Sequence, residues 1–194
     1  MKKKVGVLSL QGDFAAHSAA LERAGAEAVL VREPQQFAVI DGLVIPGGES
    51  TTMLKLLHYE PSLLLSLEDF GRRKPVFGTC AGAILMANDV SGPEQESLSM
   101  MDIGVERNAY GRQLDSRVVE IEPDPEFHQR TAPGKLEAVF IRAPIIRRVG
   151  PEAKVLARYN GDPVLVEQGN RLVATFHPEL TADSRVHRLF LEKL

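Results

Sequence analysis

The chain has 194 residues, of which 44% are hydrophobic and 25% charged, and its formal net charge is -3. This composition is typical of a globular protein that buries about 70% of its unfolded surface. Because it offers no basic field for phosphate backbones and no apolar run near the roughly 20 residues that span a bilayer, we expect no nucleic-acid or membrane partner. A single cysteine cannot form an internal disulfide and favours a cytoplasmic protein.

The first half of the chain alternates short β-branched runs with helical patterns. Strands are predicted at 4–10, 27–33, 41–46 and 74–77. Helical patterns follow the first strand, the motif PGGE and the fourth strand, and another covers LLLSLEDFGRR. The order β-α-β-β-α-α-β-α, joined by right-handed crossovers, predicts a doubly wound parallel sheet with helices on both faces.

The second half is richer in strand patterns. They lie at 116–122, 138–143, 154–159, 163–169 and 171–176, and a final helix is predicted from about 181 to 194. The segments 89–99 and 123–135 are expected to be surface loops. We therefore predict an α/β fold in a single domain, 1–194, with a mostly parallel, flavodoxin-like sheet and extra antiparallel strands in the second half.

The only cysteine, Cys80, lies between a short strand and a helical pattern. The run Gly78-Thr79-Cys80-Ala81-Gly82 is the thiol form of the Gly-x-Ser-x-Gly nucleophile elbow. The tight turn projects its central residue above the sheet, and a side chain at either glycine would collide with the neighbouring strand or helix. The helix N-terminus favours a thiolate, and the Ala81 N–H is aimed at an oxyanion. The alternative is a small buried hydrophobic residue.

His177 is the histidine best placed to act as a base for this thiol. It follows the apolar strand RLVATF, at the edge where open α/β sheets bind ligands, and Glu179 can orient its ring. Cys80, His177 and Glu179 then form a nucleophile, base and orienting carboxylate. One alternative is that His177 and Glu179 only begin a helix. The other is a two-ligand metal site, which is disfavoured because no other cluster of histidine, cysteine or acidic residues has the spacing of metal ligands. The other histidines are predicted to be surface or loop residues: His17, His58, His128 and His187.

The run PGGES at 46–50 follows the predicted strand DGLVIP. Two consecutive glycines let the backbone approach a ligand closely, and their N–H groups can complete an anion or oxyanion site. The alternative is an ordinary turn in which Ser50 caps the following helix.

The motifs GTCAG, PGGES and FHPE, in this order, resemble the class I, triad-type glutamine amidotransferase domain. From Val5 to Leu194, the stretches VGVLSLQGD, PGGESTTM, VERNAYGRQLDS, VFIRAP and FHPELT resemble the glutaminase subunits of pyridoxal 5'-phosphate synthases. This resemblance implies a hydrolase that converts L-glutamine to L-glutamate and ammonia through a glutamyl thioester, with no cofactor and no metal. It also implies a hetero-oligomeric complex in which a synthase subunit receives the ammonia for vitamin B6 biosynthesis.

The resemblance also assigns roles to individual residues. Cys80, His177 and Glu179 match the catalytic triad. The positions that match glutamine-binding residues are Gly48, Glu49, Ser50, Arg107, Ile141 and Arg142, and those expected at the oxyanion hole are Gly47, Gly48 and Ala81. Gln11 is a possible accessory residue at the same sheet edge, with an ordinary turn residue as the alternative. Taken without the resemblance, the two arginines are typical of solvated surface charges.

Two other functions remain open from the sequence. The same triad suits another glutamine amidotransferase, such as one that serves histidine biosynthesis, or a cysteine hydrolase of similar fold. A non-catalytic regulatory subunit that binds glutamine is a further alternative, and the intact triad argues against it.

Overall fold

The structure is a computed structural model that describes residues 2–109 and 116–194. The strands are β1 (Lys4–Leu8), β2 (Glu27–Val31), β3 (Gly42–Ile45), β4 (Val76–Thr79), β5 (Ala87–Ser91), β6 (Met101–Glu106), β7 (Ser116–Ile121), β8 (Leu136–Ile141), β9 (Ile145–Val149), β10 (Lys154–Tyr159), β11 (Asp162–Gln168) and β12 (Arg171–Ala174). The α-helices are α1 (Phe14–Ala24), α2 (Ser50–Tyr59), α3 (Pro61–Arg73), α4 (Ala81–Met86), α5 (Pro125–Arg130) and α6 (Arg185–Leu191). Pro34–Val39 and Pro178–Leu180 form 3-10 helices. Residues 110–115 of the motif VERNAYGRQLDS lie outside the described residues.

Seven strands form the central sheet, in the order β10-β11-β12-β4-β3-β1-β2. The five strands from β12 to β2 run parallel, and β11 and β10 continue the sheet antiparallel. The order β2-β1-β3-β4 is the flavodoxin-like one. The predicted α/β fold, mostly parallel with antiparallel strands added in the second half, is therefore confirmed.

Helices cover both faces of this sheet, and the strand side chains alternate between them. Along β3, Leu43 and Ile45 join one buried cluster and Val44 joins the other. The first cluster includes residues of α2, α3 and α4, and the second includes residues of α1 and α6. Strands buried on both faces have almost continuous apolar sequences, and this is why β1, β3 and β4 were recognisable from sequence.

Several elements differ from the prediction. The segment 123–135 contains α5 and is not a simple loop, because Phe127 is buried in the core and holds a helical turn there. The segment 89–99 begins within β5, a strand whose exposed polar residues hide its pattern. Strands β6 and β9, which complete a three-stranded sheet with β5, were also missed. The last helix is shorter than predicted, and within the described ranges no helix is long and apolar enough to cross a bilayer.

The carboxyl ends of β1, β3, β4 and β12 meet at one edge of the sheet, because these four strands are parallel neighbours. Gln11, Gly47, Cys80 and His177 follow these strands in turn. The topology therefore brings the predicted site residues together from separate parts of the chain.

Candidate active site

Cys80 is the single residue between β4 and α4. Its φ and ψ angles are 49° and -104°, a left-handed conformation that a residue with a side chain rarely adopts. The Cys80 N–H donates a 2.8 Å hydrogen bond to the Ala174 carbonyl oxygen of β12, and this bond fixes the turn to the sheet. The geometry is that of the predicted nucleophile elbow.

The flanking glycines are required by close backbone contacts. A Cβ atom at Gly78 would lie 2.7 Å from the carbonyl group of Gly82, and one at Gly82 would overlap the carbonyl oxygen of Ile45. Neither neighbour is a flexible side-chain end that can move away at little cost. The predicted steric reason for this glycine spacing is confirmed.

His177 and Glu179 are joined by a buried hydrogen bond. Nδ1 of His177 lies 2.7 Å from Oε1 of Glu179, and the side chains are 4% and 0% exposed. Glu179 reaches the ring from the 3-10 helix that starts at Pro178, and not from an extended chain as predicted. The backbone N–H of His177 donates to the Val139 carbonyl oxygen of β8, which holds the residue against a second strand.

Cys80 interacts with the same imidazole. Burial alone would lower the pKa of His177, but hydrogen bonds and charge from Cys80 and Glu179 outweigh it and raise the pKa to about 10. The ring is therefore an imidazolium at neutral pH, lying between the thiol group and the carboxylate. A cation beside a cysteine stabilises the thiolate, which is the nucleophilic form.

A cavity of about 280 Å³ opens beside these side chains, close to the lower limit of about 300 Å³ for small-molecule sites. The residues that line it are Gln11, Asp13, Gly48, Glu49, Ser50, Cys80, Ile84, Arg107, Asn108, Ile141, Arg142, Pro144 and His177. It thus gathers Cys80, His177 and each residue predicted to bind glutamine. A larger depression of about 780 Å³ lies over β5 and β6, but neither a thiol nor a histidine lines it.

The PGGES loop lies directly against Cys80 and His177. A Cβ atom at Gly47 would overlap the His177 ring and lie 3.4 Å from Cβ of Cys80. Gly48 has a φ of 154° and lies against the Gln11 side chain, whose Oε1 accepts a 2.9 Å hydrogen bond from the Glu49 N–H. Gln11 therefore orders this loop and is not an ordinary turn residue.

Glu49, not Ser50, caps α2. Its carboxylate accepts hydrogen bonds from the N–H groups of Thr51 and Thr52, at 3.0 and 2.8 Å. Partial burial would raise the pKa of Glu49, but the bonds from these threonines outweigh it and lower the pKa. The Ser50 hydroxyl donates to Oε1 of Gln95 at 3.0 Å, so the capping alternative for Ser50 is wrong.

The two arginines differ in their surroundings. The Arg107 side chain is only 13% exposed and donates a 2.9 Å hydrogen bond to the Thr51 hydroxyl, so it is not a solvated surface charge. Arg142 is exposed, and its backbone has a φ of 45°. The carbonyl oxygen of the preceding residue, Ile141, lies 3.9 Å from Sγ of Cys80. Arg142, with its left-handed backbone, therefore lies where the chain turns next to the Cys80 thiol.

Two of the four remaining histidines contradict the prediction. His17 and His187 are fully buried, because their helices pack on the same face of the sheet as Phe77. The spacing of His17 from Phe14 and Leu21 places it on the apolar stripe of α1, and this spacing is a signal from which its burial could have been predicted. His58 is exposed as predicted and pairs with Glu96, whereas the His128 side chain is partly buried, at 21% exposed, and pairs with Glu122.

Asp13 lies beside the buried pair and was also missed. One ligand atom each of Asp13, His177 and Glu179 falls within a 4.8 Å span, which could hold a metal ion. Nδ1 of His177 is 2.7 Å from Glu179 Oε1 but 3.9 Å from Asp13 Oδ2. A metal at this position would displace the hydrogen bond that orients the imidazole, so the geometry favours the hydrogen-bonded arrangement.

The chain resembles known proteins over almost its full length. It is 69% identical to the pyridoxal 5'-phosphate synthase subunit PdxT of Solibacter usitatus, over 99% of this chain and 100% of that protein. The protein of the same description from Koribacter versatilis is 53% identical, over 97% and 94% of the two chains. A solved structure described as a crystal structure of glutamine amidotransferase is 45% identical, with a TM-score of 0.86 and 97% of each chain covered.

The fold and the site define a glutamine amidotransferase built on a parallel α/β sheet. Residues 7–194 match the family described as the SNO glutamine amidotransferase family. The chain belongs to that family, which confirms the resemblance found in the sequence.

Substitution of Gly82 by Ala tests the elbow. The new methyl group would strike the Ile45 carbonyl, so we expect the free energy of unfolding to fall by about 1–3 kcal/mol in urea denaturation. Gly104→Ala is the control, because its Cβ would approach no atom of the described residues more closely than 3.2 Å. Equal losses in the two variants would contradict the steric argument.

Replacement of Cys80 by Ala tests the cause of the raised pKa of His177. The substitution removes two of the interactions that favour the imidazolium, so the pKa should fall below about 10 and the ring should lose its proton at lower pH. NMR titration of the His177 Cε1–H in both proteins measures the shift. An unchanged His177 midpoint would refute the coupling.

Proposed function

We propose that this chain hydrolyses L-glutamine to L-glutamate and ammonia in the 280 Å³ cavity and supplies the ammonia to the synthase subunit of a pyridoxal 5'-phosphate synthase. The observation that carries the proposal is the buried contact series from Cys80 through His177 to Glu179 at the cavity wall. The family match and the PdxT relatives support the same reaction and the same assembly.

Cys80 is the proposed nucleophile and His177 the proposed acid and base. The thiolate attacks the side-chain carbonyl carbon of glutamine, and the carbonyl oxygen takes up the negative charge. The imidazolium of His177 then gives its proton to the amide nitrogen, the C–N bond breaks, and ammonia leaves a glutamyl thioester. Glu179 keeps Nδ1 of the ring protonated and holds its orientation.

Hydrolysis of the thioester restores the pair. The neutral imidazole takes a proton from water, the hydroxide attacks the acyl carbon, and the C–S bond breaks to release glutamate and the thiolate. Each step uses only water and the side chains of the site, so the proposed reaction calls for no cofactor. A metal ion held by Asp13, His177 and Glu179 would instead occupy the imidazole of His177, which would then be unable to act as the base.

Backbone N–H groups are proposed to stabilise the oxyanion. The Ala81 N–H lies in the first turn of α4, where no acceptor exists within the helix. Gly47 lies against Cys80 and His177, and Gly48 follows it in the loop that Gln11 orders. Backbone donors from α4 and from this loop suit a tetrahedral intermediate.

The remaining lining residues are proposed to recognise the amino-acid end of glutamine. Arg107 and Arg142 provide positive charge for its carboxylate, and Glu49 provides negative charge for its amino group. Ser50 and the carbonyl group of Ile141 add neutral polar contacts on the same walls.

A partner is needed because free ammonia is protonated in neutral water and loses its nucleophilicity. The proposed complex shelters the ammonia on its way to the synthase subunit. We place the complex in the cytoplasm, where Cys80 stays reduced, and treat residues 1–194 as one glutaminase domain.

Cys80→Ala tests the nucleophile directly. We expect ammonia release from glutamine to fall by about a thousandfold or more, because no thioester can form. In mass spectrometry, the glutamine-analogue electrophile diazo-oxo-norleucine should add to the native protein at Cys80 and leave the variant unlabelled. His128→Gln, on α5 and outside the lining of the cavity, is the matched control and should keep full activity and labelling. Activity in the Cys80 variant would refute the mechanism.

Addition of the synthase subunit tests the assembly. We expect glutamine-dependent formation of pyridoxal 5'-phosphate only when both subunits are present, and faster ammonia release in the complex. The synthase of another glutamine amidotransferase, such as that of histidine biosynthesis, is the control and should not respond. A glutaminase rate that the matching synthase leaves unchanged, with no pyridoxal 5'-phosphate formed from glutamine, would overturn the proposed partner.

A further inference from the structure

A second buried imidazole lies behind the proposed triad. Nε2 of His17, on α1, lies 3.3 Å from Oε2 of Glu179 and 2.9 Å from the Thr79 hydroxyl oxygen. Its other nitrogen, Nδ1, lies 3.2 Å from Nε2 of His187 on α6. His17, Thr79, Glu179 and His187 are all buried, and the first and last are 0% exposed. The contact series that starts at Cys80 therefore continues through Glu179 into the core.

Glu179 needs this neighbour for electrostatic reasons. His177 satisfies Oε1, but Oε2 is buried and receives no well-aligned hydrogen bond from the residues described. A buried carboxylate oxygen without a donor is costly, because its lost hydration is not replaced. Nε2 of His17 lies 3.3 Å from this oxygen and 2.9 Å from the Thr79 hydroxyl oxygen. An N–H at Nε2 shared between two acceptors accounts for both distances.

The protonation of the two histidines follows from their surroundings. Burial, reinforced by His187 and His177, holds the pKa of His17 well below its usual value. Burial, reinforced by the charge of Arg23, lowers the pKa of His187 to about 4. Both rings are neutral at physiological pH, so each carries one N–H.

Only one arrangement of these two protons avoids a repulsive contact. A lone pair on Nε2 of His17 would face the Glu179 carboxylate, whereas an N–H there is attracted to it. Nδ1 of His17 is then an acceptor, and Nε2–H of His187 donates to it. This leaves Nδ1 of His187, which has no partner among the described residues, as a bare acceptor and not as an orphaned N–H.

We propose that His17 is a positioning residue for the glutaminase reaction: its neutral Nε2–H faces Oε2 of Glu179 and holds the carboxylate with Oε1 against His177. Thr79, the last residue of β4 and the neighbour of Cys80, holds the His17 ring in place. His187, on α6, determines the tautomer of that ring. The carboxylate is thus held between two imidazoles, one that takes part in the proposed chemistry and one that does not. This inference rests on the proposed function, because it assigns His17 a role in that reaction.

Paired substitutions of His17 separate positioning from packing. His17→Leu fills the space without a donor, and we expect kcat for ammonia release to fall by about 10- to 100-fold with KM little changed. His17→Gln places an amide N–H near the former Nε2 and should recover most of kcat. His128→Gln is the matched histidine control and should keep the native kcat. Equal losses in the Leu and Gln variants, or a native kcat in the Leu variant, would overturn the proposal.

The ring tautomers provide a test that needs no activity. In the native protein at neutral pH, long-range ¹H–¹⁵N NMR spectra should show both His17 and His187 as neutral rings protonated at Nε2. A His17 ring protonated at Nδ1, or at both nitrogens, would overturn the proposal even if the Leu variant fails to fold. Absence of glutaminase activity in the native protein would instead refute the proposed function, so the two failures are distinguishable.

Discussion

The turn at Cys80 is the constraint on which the rest of the site depends. A residue with a side chain stays at a φ of 49° only where surrounding contacts leave it no alternative. The Cys80 N–H is bonded to Ala174 of β12, Gly78 lies against Gly82, and Gly82 lies against the Ile45 carbonyl of β3. Because these contacts come from the sheet and from α4, the position of the thiol is set by core packing and not by a loop.

The same packing carries the other groups to the thiol. Parallel neighbours β1, β3, β4 and β12 end at one edge, so Gln11, Gly47 and His177 reach Cys80 without long connections. The helices on the α1 face add a second layer, since His17 and His187 extend the hydrogen-bonded series beneath the sheet edge. A shift of α1 against the sheet would therefore move the carboxylate of Glu179 as well as the apolar core.

Features with a strict steric or apolar requirement could be predicted from the sequence. The glycine spacing around Cys80 and the continuous apolar runs of β1, β3 and β4 each have one structural explanation, and both were found. His17 and His187 were missed because a histidine on a helix was treated as polar and exposed, although the spacing of His17 matched the apolar stripe of α1. Strand β5 was missed because most of its residues are exposed and polar, so its sequence lacks the apolar residues by which a strand is recognised. Contacts such as Gln95 with Ser50 join distant segments, and no local pattern encodes them.

One side of the site is buried in the core, and the other side is exposed to solvent. Glu179 and His17 lie in the core, where the neighbouring groups decide which nitrogen of His17 carries a proton. Glu49 and Arg142 lie on the exposed side, where water can be exchanged for ligand groups. A free amino acid has two charges at one end and, in glutamine, a neutral amide at the other. Because desolvating charges is far more costly than desolvating an amide, this division suits the proposed reaction, in which the amide lies at Cys80 and the charged end at the opening.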